Sequence, residues 1–82
     1  MRFYFDIRDG DEFTEDDAGV ELPDLNAARL QATIALTEMA RDYLPRNGDE
    51  RRLAIHVRTD EGPQLDVTLD YELEHLRKQE RS

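Results

Sequence analysis

The 82-residue chain contains no cysteine. That excludes a disulfide staple, a thiolate zinc site and a thiol nucleophile together. Small secreted domains usually carry disulfides because their cores are thin, so the expected compartment is the cytoplasm. No stretch approaches the roughly 18 apolar residues of a membrane helix. The start, Met1-Arg2-Phe3-Tyr4-Phe5-Asp6, has neither a long apolar run nor a small-residue cleavage site, so neither a signal peptide nor a membrane partner is expected. The one serine is Ser82, and the four glycines stand isolated, which leaves no glycine-rich phosphate loop. No cofactor and no metal are expected.

Positive charge is also scarce. Eleven basic residues face twenty acidic ones, for a net charge of -9. Phosphate backbones are held by Lys and Arg, so this balance opposes direct nucleic-acid binding. The basic residues cluster only at Arg51-Arg52 and in the tail from Arg77. High charge can also mark disorder, but the apolar residues here are strongly periodic.

Residues 2–8 alternate, with Phe3, Phe5 and Ile7 on one side and Tyr4, Asp6 and Arg8 on the other, the pattern of a half-buried strand. Asp9-Gly10 signals a hairpin. A three-residue loop, Asp9 to Asp11, would set Phe13 opposite Ile7 inside the core, and a one-residue slip would exchange the faces. The second strand is expected over about residues 12–15, resuming near Val20-Glu21-Leu22 after a turn at Glu15–Gly19. Asp24 follows Pro23 as a helix N-cap. Leu25, Ala28, Ala32, Ala35, Leu36, Met39 and Tyr43 then form one apolar helical stripe, which Pro45 and Gly48 stop. The alanines suit close approach to a sheet.

Residues 51–59 alternate again, with Leu53, Ile55 and Val57 inward. A three-residue loop at Asp60-Glu61-Gly62 leads to a last strand opened by Pro63. This register pairs Val57 with Leu65, Ile55 with Val67 and Leu53 with Leu69. It also sets His56 across from Asp66 and Arg52 across from Asp70, and the opposed charges support it independently.

The expected fold is therefore α+β: a single ββαββ domain over residues 1–73, with a four-stranded antiparallel sheet in the order 2-1-3-4 and one amphipathic helix packed on one face. Residues 74–82 read as a polar C-terminal tail.

Three separated blocks, Phe3–Gly10, Asp17–Asp24 and Ala27-Ala28-Arg29, resemble a family of short alphaproteobacterial proteins classed as a domain of unknown function. The resemblance spans roughly residues 2 to 73. It implies a bacterial source and carries over no activity and no catalytic residue.

The residues offer few chemical constellations. The acids Asp9, Asp11, Glu12, Glu15, Asp16 and Asp17 hint at calcium, but Gly10 falls between the first two and Phe13 takes the third ligand position, so the loop rule fails. A solvated hairpin edge explains them. His56 with Asp66 is the one His–carboxylate pair that can be constructed. No Cys or well-placed Ser accompanies it, and a base alone makes no reaction site. Glu21 and Asp24 flank Pro23, and Arg29, one turn into the helix, could bind an anion, but capping accounts for Asp24, and Arg29 would pair with a carboxylate such as Glu21.

The sheet face away from the helix is mixed and polar. Tyr4, Arg8, His56, Arg58, Asp66 and Asp70 on it form the candidate interaction surface. The long last strand, expected at an edge, could accept a partner strand, while its alternate acids would resist self-pairing. The leading expectation is a non-catalytic module that binds protein, as a homodimer or with another partner. Other readings are an antitoxin-like regulatory partner, and a small ligand-binding protein or enzyme using the His56 face.

Overall fold

The computed structural model describes residues 1–46 and 48–77. Its elements are β1 (Arg2–Asp9), β2 (Glu12–Thr14), β3 (Val20–Glu21), α1 (Leu25–Tyr43), β4 (Glu50–Thr59) and β5 (Gly62–Glu72), with a 3₁₀ turn at Leu44–Arg46. The path through the sheet is β2-β1-β4-β5, and β3 pairs separately with the start of β1. All pairings are antiparallel. The layout departs from the expected four strands, because the second splits into β2 and β3.

The first hairpin corrects the expected register. Ile7 faces Thr14, and Arg8 faces Phe13. The turn takes two residues, Gly10 and Asp11, between the paired Asp9 and Glu12. Gly10 has φ +61, and a positive φ at the first central position is what a II′ hairpin turn asks of glycine. The one-residue shift moves Phe13 out of the core to the far face, where it is 50% exposed. There the Arg8 guanidinium lies 5.0 Å from its ring centre.

The second hairpin keeps the expected pairs Val57–Leu65, Ile55–Val67 and Leu53–Leu69. Its loop is shorter than expected. Thr59 pairs with Gly62 and Arg58 with Pro63, and the register then shifts between Val57 and Arg58, so that Gln64 is the extra residue. A bulge of this kind turns a strand without losing the downstream pairing.

Asp24 caps α1 in an extended conformation, and its side chain accepts the Ala27 amide at 2.9 Å. The buried stripe is Ala28, Ala32, Leu36 and Ala40. Small residues at this spacing let the helix backbone approach the sheet, and the bulk of the core comes from Phe3, Leu53, Ile55 and Val57. Each of these four contributes about 1.5–3 kcal/mol by leaving water. The ends of the expected stripe differ: Leu25 and Tyr43 are exposed, because a 19-residue helix overruns the apolar rows beneath it. Arg51 closes that end of the core. It donates two 2.7 Å hydrogen bonds to Asp9 and sits over the Tyr43 ring.

Arg29 hydrogen-bonds Asn26, and Glu21 pairs with the N-terminal amine, so the expected Arg29–Glu21 pair does not form. Residues 74–77 follow β5 without regular structure, and the remainder of the tail assigned to 74–82 lies outside the described residues.

Candidate interaction surface

The face of the sheet opposite α1 is built by the alternation of β1, β4 and β5. Tyr4 is paired with Arg58, Asp6 with His56 and Arg8 with Ala54 across β1 and β4; His56 meets Asp66, and Arg52 meets Asp70, across β4 and β5. All six residues singled out in the sequence share this face. They fall into three groups, each satisfied locally.

The first is a buried hub. Asp6 is only 5% exposed, although its parity points it away from the helix. Arg58 spans it, with Nε to Oδ2 at 2.8 Å and Nη2 to Oδ1 at 3.3 Å. Nη2 also donates to the Asp16 carbonyl oxygen at 2.8 Å and to Glu15 at 3.3 Å. The guanidinium carbon lies 4.6 Å from the Tyr4 ring centre, a cation–π geometry. The Asp16 amide donates to Asp6, while the Asp16 carboxylate accepts the amides of Phe5, Ala18 and Gly19. The loop from Glu15 to Gly19 is thereby fastened across the open face.

Burial is the largest influence on the Asp6 carboxyl and pushes its pKa up. The Arg58 and Asp16 hydrogen bonds and the Arg58 charge together outweigh it, so the net shift is downward. Asp16 behaves alike: burial raises it, and three amides with the Arg58 charge bring it below its ordinary value. The Arg58 pKa is raised, chiefly by its bond to Asp6.

Gly19 closes the hub sterically. Its φ is +78, and a Cβ there would lie 2.9 Å from both Arg2 Cγ and Tyr4 Cε2. Real Cβ atoms do not approach so closely, so the loop needs glycine on both counts.

The second group is Arg8 with Phe13, whose ring centre is also 6.3 Å from that of His56. The third is the pair of cross-strand bridges: His56 Nδ1 to Asp66 at 2.8 Å, and Arg52 to Asp70 at 2.6 and 3.0 Å. These bridges are largely exposed, so solvent screens the attraction and they add little to stability. His56 and Asp66 are joined as the sequence suggested, with Phe13 rather than a nucleophile beside them.

The family model for the domain of unknown function DUF6894 matches residues 2–70. The chain belongs to that family. No curated protein and no solved structure matches it. The DUF6894 match runs from β1 through most of β5, so the hub and both bridges lie within it.

Nothing in the sequence pattern marks Asp16 and Glu15 as Arg58 and Asp6 partners, or brings Gly19 close to Tyr4. Asp6 and Arg58 were placed on the correct face, but not as partners. The available signal was an acid and an arginine at open-face positions flanking Tyr4, and it was too common a pattern to single out. The acids of the calcium-like stretch disperse to other tasks: Asp9 to Arg51, Glu15 to Arg58, and Asp16 to backbone amides.

Among the described residues no helix is long and apolar enough to cross a membrane.

Proposed function

We propose that this DUF6894 chain is a non-catalytic cytoplasmic module that binds another polypeptide along the free edge of β5 and the polar sheet face beside it. The observation that carries the reading is β5 itself. It is an eleven-residue strand at the end of the sheet path and, among the described residues, pairs on one side only, with β4. Such an edge offers a row of main-chain donors and acceptors to an added strand. Its inward residues Leu65, Val67, Leu69 and Tyr71 are half-buried, not sealed, so apolar surface accompanies the hydrogen-bonding edge. Asp66 and Asp70 of the candidate surface stand on this strand; Tyr4, Arg8, His56 and Arg58 form the sheet face next to it. The His56–Asp66 geometry is accounted for as a cross-strand bridge, which supports the non-catalytic assignment.

A photo-crosslinking amino acid at Thr68, on β5, tests the reading in native cells. The expected result is one discrete adduct, absent when the same group replaces Gln31 on α1. Equal labelling at both positions, or none at Thr68, would overturn it. An adduct at twice the 9.6 kDa chain mass would identify the partner as a second copy.

A further inference from the structure

Resting on the strand-addition reading just given, we propose that the segment β5 accepts is a basic one: an extended stretch with Arg or Lys at alternate positions and apolar residues between. The charge on the edge argues for this occupant. The sequence of β5, GPQLDVTLDYE, holds three acids and no base. Asp66, Asp70 and Glu72 all point to the open face, and all are exposed. At the far end of the hairpin Glu72 is paired directly with Glu50. Among the described residues neither carboxylate has a hydrogen-bond or ion-pair partner. Like charges directly opposite on a sheet are destabilising, and a cation supplied from the side of β5 away from β4 relieves both.

A second copy of this chain fits the edge less well. Antiparallel self-pairing centred on Thr68 would set Asp66 against Asp70 twice, and pairing centred on Leu69 would set Asp66 against Glu72 twice. An alternating basic strand sets a cation near each of these acids in a single register. Its apolar residues then fall on the side of Leu65, Val67 and Leu69. Asp66 and Asp70 already hold His56 and Arg52, but an ionised carboxylate has about four acceptor sites and can serve a neighbour on each side.

The test uses the full chain and three capped nine-residue peptides measured by calorimetry: alternating arginine and valine, the same peptide with glutamine for arginine, and a fully N-methylated form of the first. The arginine peptide is expected to bind about tenfold more tightly than the glutamine peptide, since three exposed charge pairs are worth about that much. N-methylation, which keeps the charge but removes the backbone donors, is expected to abolish binding. Equal affinity for the glutamine peptide would overturn the basic-segment inference and leave strand addition standing. Undiminished binding of the N-methylated form, or no binding of any peptide, would overturn both.

Location is read from variants. E72Q breaks no described contact, and is expected to weaken the arginine peptide about threefold, with D66N/D70N/E72Q removing the preference for arginine. D17N/E38Q/D42N takes the same charge from elsewhere and is expected to leave the preference intact. An equal loss in that control would show diffuse attraction to an acidic protein and overturn the proposal. So would sedimentation showing a dimer that the peptide cannot displace.

Discussion

Arg58 grips Asp6 through two nitrogens while its guanidinium covers the ring of Tyr4. The pair joins β1 to β4 and, through the Asp16 backbone, holds the loop that leads to β3. Removing the acid leaves the Asp16 amide without its acceptor and Arg58 with only the Asp16 carbonyl and Glu15. Asp6→Ala is expected to cost roughly 1–3 kcal/mol, and each kcal/mol should lower Tm by about 4–8 °C in a domain of this size. Thermal unfolding followed by circular dichroism measures it; an unchanged Tm would mean that the hub adds nothing to stability.

The same two carboxyls set an acid limit. Asp6 and Asp16 are lowered in the folded state, so the unfolded chain takes up protons first as pH falls. Their stabilisation is complete above the unfolded value of about 3.9 and is lost as pH drops through the lower folded values. Urea midpoints should hold near neutrality and fall below about pH 4, with a shallower decline in Asp6→Asn. A decline that begins near pH 6 would point to other groups.

Gly19 and Gly10 make a matched comparison. Both have positive φ, but a Cβ at Gly10 meets open space while one at Gly19 strikes Arg2 and Tyr4. Gly10→Ala is expected to cost about 1–2 kcal/mol of backbone strain, and Gly19→Ala distinctly more. Paired denaturation curves decide this, and equal losses would refute the steric account.

Phe13 tests the hairpin register. On the open face its truncation to Ala should cost under about 1 kcal/mol, whereas Phe3→Ala in the core should cost about 3–5 kcal/mol. Comparable losses would restore the register that buries Phe13.

Asp24→Ala should remove about 1 kcal/mol by freeing the Ala27 amide, while Asp24→Ser should be nearly neutral. Helix signal and urea midpoint together check the pair.

Where neighbours in sequence decide the outcome, the fold was legible beforehand. Asp24 announced the helix start, and two opposed charge pairs set the β4–β5 register. The apolarity of Phe13 points it to the core, but turn geometry overrides it: Gly10 at the first turn position governs the slip, and Arg8 supplies the ring with company outside the core. The split of the second strand follows from Asp16, whose carboxylate gathers the Phe5 amide of β1 and the Ala18 and Gly19 amides that follow it in the loop. Arg58 and Asp6 lie 52 positions apart, and no local pattern announces a partner at that distance. The candidate face was readable as a face, from alternation alone; its division into self-satisfied groups was not.

The central β1–β4 ladder joins strands far apart in the chain, with Tyr4 waiting for Arg58 and Asp9 for Leu53. On the ribosome, β1 emerges first and its main partner arrives roughly fifty residues later. At about 5–20 residues per second the strand spends several seconds with that side unpaired. During this interval β2, β3 and the tethered loop, and then α1, are the described neighbours it can have. The Asp16 carboxylate takes the Phe5 amide between the β2 and β3 pairings, so one edge of β1 is closed by local partners alone and the other stays open for β4.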